Sequence, residues 1–118
     1  MKIVVSGSRD YDNYDEAKSY IEKCIQKTDV DKVVILSGGC RGADMLGERY
    51  AKEKGYTVER VIPEWSKYGK AAGIVRNRKM AEAADLVICF WNGKSKGTKM
   101  MIEYTKKLNK KIIVYLVK

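Results

Sequence analysis

Three segments of this 118-residue chain combine glycine with arginine, the residue types that suit a phosphate or another small anion. Glycine lets the backbone approach a ligand closely, and arginine offers a fork of N–H donors. The segments are residues 6–10 (Ser-Gly-Ser-Arg-Asp), residues 37–44 (Ser-Gly-Gly-Cys-Arg-Gly-Ala-Asp) and residues 63–80, which include a tryptophan and two arginines. Two of them follow short apolar runs. Together they predict an anion-binding crevice.

The candidate ligand-binding residues come from these segments and from the start of the last predicted helix. They are Gly7, Ser8, Arg9, Asp10, Gly38, Gly39, Arg41, Gly42, Asp44, Trp65, Arg76, Ser95, Gly97 and Thr98. Structural alternatives stay open for several of them. The glycines can serve tight turns, Asp44 can be a first-turn acid, Thr98 a plain helix cap, and Trp65 can pack over the sheet instead of stacking on a base.

Several familiar chemistries are excluded by composition and spacing. The chain has no histidine, which removes Ser-His-Asp, Cys-His and His-metal sites. The three cysteines form no Cys-x-x-Cys pair, so neither a disulfide framework nor a metal site is expected. A Walker A loop ending at Gly93-Lys94-Ser95 would need glycine where Ile88 stands, and the glycines at 38–42 lack dinucleotide-fingerprint spacing. No cofactor is therefore predicted.

The formal charge of +9 is concentrated near the carboxyl end of the chain. Residues 91–118 hold eight lysines and one glutamate. This pattern predicts a basic face, which is either a solvated lysine surface or a region that attracts anions or nucleic acid. No apolar stretch approaches the roughly 20 residues that cross a bilayer. We therefore expect a cytoplasmic protein with no membrane partner.

Short β-branched apolar runs alternate with helical patterns along the chain. The runs are residues 3–5, 33–36, 57–61, 86–90 and 112–117. A first helix is expected after a capping box of Asn13 and Glu16, with apolar positions from Ala17 to Thr28. Further helices are expected around residues 43–51, 71–84 and 98–109. The order predicts an α/β fold: a single Rossmann-like domain over residues 1–118, with a doubly wound, parallel five-stranded sheet and helices on both faces. Its ligand crevice would lie at the carboxyl ends of the strands.

The motifs in this order closely resemble the YspA-type, cpYpsA-related SLOG family, within the superfamily of the LOG phosphoribohydrolases and the DprA proteins. They are residues 6–11, 38–44, 63–65, 67–73, 76–77, 80, 84–85 and 95–98, nearly the whole chain. The resemblance implies a domain that binds nucleotides or nucleotide derivatives. It also adds Asn77, beside Arg76, to the candidate ligand-binding residues.

One LOG spacing is present and a second is not. LOG enzymes carry an arginine nine residues before a strand-opening aspartate and a methionine four residues after that arginine, and Arg76, Met80 and Asp85 match. The resemblance thus implies a phosphate-binding or catalytic role for Arg76. The later LOG signature of glycines, Gly-Thr and an acid matches poorly, because Met100 and Met101 stand where acids are expected.

We therefore expect a nucleotide-derived small molecule as the partner, bound by a sensor or sequestering protein. The alternative is a nucleoside 5′-monophosphate phosphoribohydrolase, for which Arg76, Glu103 and Asp44 are the catalytic candidates, because N-glycosidic hydrolysis needs a carboxylate. A third reading is single-stranded nucleic-acid binding through the basic face and Trp65. A second copy of the chain is kept as a further partner.

Overall fold

A computed structural model describes residues 1–25 and 32–117. Its five strands form one sheet in the order β3-β2-β1-β4-β5, and every neighbouring pair is parallel. They are β1 (Lys2–Gly7), β2 (Val34–Ser37), β3 (Thr57–Arg60), β4 (Leu86–Trp91) and β5 (Lys111–Leu116). This architecture confirms the predicted doubly wound sheet.

Helices connect the strands as the alternating pattern predicts, with one addition. They are α1 (Tyr14–Ile25), α2 (Ala43–Lys54), α3 (Trp65–Tyr68), α4 (Ala72–Ala83) and α5 (Lys96–Lys107). The short α3 and the 3-10 turn that follows it, Gly69–Ala71, were not predicted. The part of the first helical pattern that reaches Thr28 lies outside the described residues.

Helix starts follow the capping chemistry, with two differences from expectation. Asn13 Oδ1 accepts from Glu16 N at 3.2 Å, which is half of the predicted capping box. The Glu16 carboxylate instead accepts from the Tyr11 hydroxyl at 2.7 Å. At α5 the cap is Ser95 rather than Thr98, because Ser95 Oγ accepts from Thr98 N and the helix begins two residues earlier than predicted.

The sheet is covered on both faces. Ile3 and Val5 of β1 pack in one core with α1 and α2, whereas Val4 packs in the other core with Met80 of α4 and Met101 of α5. Successive side chains of a strand point to opposite faces, so a continuous apolar strand serves two cores. After β1 the chain turns to one face of the sheet, and after β4 it turns to the other face. The loops that follow these two strands therefore separate, which leaves a gap at the carboxyl ends of the strands.

Candidate functional site

A polar cleft of about 320 Å³ lies at the carboxyl ends of the neighbouring strands β1 and β4. This is the switch point of the sheet, where ligands of doubly wound folds bind. The residues that line the cleft are Ser6, Gly7, Ser8, Arg9, Cys40, Asp44, Arg76, Asn77, Asn92, Ser95, Gly97 and Thr98. They come from the end of β1, from the loops after β1, β2 and β4, from α4 and from the first turns of α2 and α5.

Ser8 joins the three loops that form the cleft. Its backbone N–H donates to the Phe90 carbonyl at 2.9 Å, and its hydroxyl accepts from Asn92 N at 3.1 Å. The Ser8 carbonyl accepts from Ala43 N at 3.2 Å. The first N–H group of α2 is therefore already used within the protein. An anion at that helix start could therefore bind only the backbone N–H groups that follow Ala43.

Arg76 crosses from α4 to the loop after β2 and is only 8% exposed. Its guanidinium donates through Nη1 to the Gly38 carbonyl at 2.8 Å and through Nε to Asn77 Oδ1 at 2.8 Å. A longer contact of 3.7 Å joins Nη2 to Cys40 Sγ. A guanidinium has five N–H donors, so donors remain for a ligand in the cleft. Arg76 is therefore held in a fixed orientation with charge available to an anion.

Asp44 is buried in the first turn of α2 and lines the same cleft. Its Oδ2 accepts from Cys40 N at 3.4 Å. Gly38 lies between Asp44 and Arg76: a Cβ at this position would come within 2.8 Å of both Asp44 Oδ2 and Arg76 Nη1. The absence of a side chain at Gly38 is what lets a buried acid and a buried base share one end of the cleft.

The pKa of Asp44 gives a prediction about stability. Burial raises it from 3.8 to about 6, while the Cys40 N–H and the charge of Arg76 oppose the rise. The native state thus holds the proton more tightly than the unfolded chain. This contribution to stability is complete below about pH 4 and is lost as the pH rises through about 6. At about 1.4 kcal/mol per pH unit, the loss is about 3 kcal/mol.

Urea unfolding of the parent and Asp44→Asn between pH 4 and pH 7 measures this loss. The parent should lose about 3 kcal/mol more than Asp44→Asn across that range, because the amide stays neutral. Asp10→Asn, on an exposed side chain of a neighbouring loop, should follow the parent. Parallel curves for the parent and Asp44→Asn would contradict the raised pKa.

Most of the sequence-predicted site residues lie together, and the rest lie nearby. Lining the polar cleft are Gly7, Ser8, Arg9, Asp44, Arg76, Asn77, Ser95, Gly97 and Thr98. Outside its lining are Asp10, Gly38, Gly39, Arg41 and Gly42. Of these, Gly38 and Gly42 shape the loops, whereas the side chains of Asp10 and Arg41 are exposed. Asp85 lies at the amino ends of the strands, on the side away from the cleft, where its carboxylate accepts a hydrogen bond from Lys2 N at 2.8 Å.

Sequence reasoning did not select three residues that line the cleft, Ser6, Cys40 and Asn92. Ser6 is near the end of β1 and Asn92 directly follows β4. A polar residue at the carboxyl end of a buried strand was the signal that could have identified both. The third, Cys40, lies within the predicted segment 37–44, but its place beside the Arg76 guanidinium was not apparent from the sequence.

A second cavity of about 400 Å³ adjoins the cleft and lies between α3, α4 and α5. Arg9, Arg76, Asn77 and Gly97 line both spaces. Trp65 and Glu103 line the second cavity and not the polar cleft. Trp65 is 61% exposed, so the alternative that it packs over the sheet is wrong. Glu103 is exposed near Lys107 and Arg78 on the walls of this cavity.

The thiols provide a chemical test of the cleft. All three cysteines are free, and burial, followed by the charge of Asp44, raises the pKa of Cys89 to about 12. Ellman's reagent should therefore label Cys24 and Cys40 in the native protein and reach Cys89 only after unfolding. A ligand in the cleft should slow one of the two native reactions, and Cys40→Ser should remove that ligand-sensitive phase. Rapid native labelling of all three thiols would contradict this packing.

The sequence of this chain is similar to that of known proteins. The family model described as the YspA, cpYpsA-related SLOG family matches residues 1–68. The gene 61 protein of Mycobacterium phage D29 is 37% identical over 73 residues, which cover 57% of this chain and 58% of that protein. The match thus spans less than two thirds of that relative.

Within the described residues, none of the helices has the length and hydropathy needed to cross a membrane.

Two solved structures share the fold. The DNA processing protein A (DprA) from Streptococcus pneumoniae superposes with a TM-score of 0.74 at 22% identity, covering 96% of this chain and 49% of that one. The protein TM1055 superposes with a TM-score of 0.67 at 20% identity, covering 94% of this chain and 71% of the other. Both likenesses support the Rossmann-like arrangement that the sheet order shows.

Proposed function

We propose that this chain, which belongs to the YspA, cpYpsA-related SLOG family as its motifs predicted, binds a nucleotide or nucleotide-derived small molecule. The ligand occupies the polar cleft at the carboxyl ends of β1 and β4. The protein acts as a sensor of this molecule or sequesters it. A nucleotide suits a cleft that presents a fixed cation at one end and hydroxyl and amide groups along its length.

The observation that carries the proposal is the placement of Arg76. A buried guanidinium whose donors are only partly used costs desolvation energy unless an anion or further hydrogen bonds compensate it. Arg9 brings a second guanidinium to the cleft from the loop after β1, and the first turn of α5 adds the positive end of a helix dipole at Gly97. These groups converge on one space, and phosphate is the anion that arginine forks and helix starts bind in common.

The polar side chains of the cleft suit a ribose. Ser8, Asn92 and Ser95 lie at its walls, and each can exchange hydrogen bonds with a sugar hydroxyl. Asp44 lies at the same end as Arg76 and can accept from a hydroxyl when ionised. Phosphate at the guanidinium groups and sugar along the serine and asparagine side chains thus account for the lining.

A thermal-shift panel tests this function, with mononucleotides, ADP-ribose and its cyclic derivatives as probes and native mass spectrometry of the freshly purified protein beside it. A ligand at about 100 times its Kd should add about 2.7 kcal/mol to the unfolding free energy. Arg9→Ala should lose most of the shift, because its guanidinium lines the cleft. Arg49→Ala, an exposed arginine of α2 that stacks on the Tyr14 ring, is the matched control and should keep it. A panel without any shift, or an equal shift in Arg9→Ala, would overturn the proposal.

One observation favours a second function, N-glycosidic hydrolysis of a nucleoside 5′-monophosphate. A carboxyl with a pKa near 6 beside a guanidinium is the kind of group that serves as an acid or base at neutral pH, and Asp44 has that environment. Glu103 faces the second cavity instead. Release of free base from a bound nucleotide, abolished in Asp44→Asn and retained in Glu103→Gln, would establish this activity. If the bound nucleotide stays intact, the hydrolytic function is excluded and binding alone remains as the proposed function.

A further inference from the structure

The second cavity differs in chemistry from the polar cleft. Its walls include Trp65, Ile74 and Met100, which are three of the seven large apolar side chains exposed in the described part of the chain. Exposed apolar groups that gather at one concave place mark a binding surface more often than scattered ones do. Tyr104 adds another aromatic ring to the same walls, with the Arg78 guanidinium 5.3 Å from the ring centroid.

Charge in the second cavity is strongly one-sided. Five cationic side chains line it, and one carboxylate, Glu103, opposes them; the cations are Arg9, Lys70, Arg76, Arg78 and Lys107. An apolar wall with a basic rim suits a flat ring that carries an anionic group. A purely apolar partner would leave these cations desolvated without compensation.

The two spaces are joined at two arginines. Arg9 and Arg76 line both the cleft and the second cavity. A ligand that passes from one space into the other must cross this cationic junction. The part of such a ligand that lies between Arg9 and Arg76 would be an anionic linker, because it faces two guanidinium groups. The parts on either side of the linker would fill the polar cleft and the second cavity.

We infer that the ligand is a dinucleotide-type molecule, with two nucleoside units joined through phosphates. This inference rests on the proposed function and extends it. One nucleoside occupies the polar cleft, the linking phosphates lie between Arg9 and Arg76, and the second base lies against Trp65, Ile74 and Met100. Each half then adds binding energy to the other, because the second contact is made within one complex.

Calorimetric titration tests the inference with AMP and GMP and with their pyrophosphate-linked dimers, diadenosine and diguanosine diphosphate. At least one dimer should bind the parent about tenfold or more tighter than its mononucleotide. Met100→Glu should abolish that gain, because it places a carboxylate in the space of the second nucleoside, and should leave the mononucleotide affinity within about twofold, since the cleft lining excludes Met100.

Met45→Glu is the matched control. Met45 is 40% exposed and Met100 is 41% exposed, but Met45 is on α2 and lines neither space. It should keep the full dimer gain. Arg78→Ala is a second variant of an exposed side chain that should reduce the gain if Met100→Glu does not fold.

The outcomes separate this inference from the proposed function. Mononucleotide binding with no gain for either dimer overturns the dinucleotide inference alone, as does a gain that persists in folded Met100→Glu. No binding of any of the four probes overturns the dinucleotide inference, whereas the proposed function is overturned only if the thermal-shift panel with ADP-ribose and its cyclic derivatives also gives no shift. A single-stranded oligonucleotide whose affinity rises with every added nucleotide, or a second copy of the chain that covers the cavity, would also overturn the inference.

Discussion

Replacing Gly42 with alanine should lower the free energy of unfolding by more than about 4 kcal/mol. Gly42 precedes α2 with φ 82° and ψ −133°, a conformation that is essentially restricted to glycine. A Cβ at this position would lie 2.3 Å from the Ser8 carbonyl oxygen and 2.5 Å from the Arg9 carbonyl oxygen, both in the backbone. Because a backbone group cannot rotate away as a side chain can, the loops after β1 and β2 would have to separate.

The measurement is urea unfolding beside two other glycine-to-alanine variants. Gly55→Ala has the positive φ without a neighbour within 4 Å, so it should cost only the backbone strain of about 1–2 kcal/mol. Gly73 in α4 has neither a positive φ nor a neighbour within 4 Å of the added Cβ, so Gly73→Ala should stabilise the protein by up to about 1 kcal/mol. A loss in Gly42→Ala no larger than that in Gly55→Ala would show that the two loops can move apart cheaply.

The parallel, doubly wound sheet and the place of the cleft at the carboxyl ends of its strands could be predicted because they depend on patterns within short segments. Continuous apolar strands followed by helices require a parallel sheet with two covered faces. Residues such as Ser8 and Arg76 then had to lie near the carboxyl ends of strands or at the start of a helix. Their convergence on one cleft follows from topology alone.

Side-chain contacts between distant segments could not be predicted in the same way. The contact of Arg76 with the Gly38 carbonyl spans 38 residues and depends on the exact height of α4 above the sheet. The second cavity depends on the tilt of α3 and α4 against α5, which no periodic pattern encodes. The ligand contact of Arg41 stays a prediction: arginine close to glycines suggested it, and the structure places this side chain in an exposed position outside the cleft lining.

Arg76→Ala should weaken nucleotide binding by about ten- to a hundredfold and also destabilise the protein. A hydrogen bond to a charged group contributes about 1.5–3 kcal/mol, which corresponds to that range of affinity. The variant also leaves the Gly38 carbonyl without this donor and Asp44 without the charge that opposes the rise of its pKa. Titration with the best ligand of the thermal-shift panel measures the first effect, and urea unfolding measures the second.

A purely structural role for Arg76 would predict a different result, and two further measurements distinguish it. Since the charge of Arg76 holds the pKa of Asp44 down, its removal should move that pKa above about 6, and the pH range over which stability falls should move upward with it. Arg76→Lys keeps the positive charge but lacks the Nε–H that donates to Asn77. Its stability should therefore fall over nearly the same pH range as that of the parent, while its affinity for the ligand should stay below the parent's. If Arg76→Ala, folded at low temperature, bound the ligand as tightly as the parent, the guanidinium would only join α4 to the loop after β2. The anion would then have to be held by Arg9 and the first turn of α5.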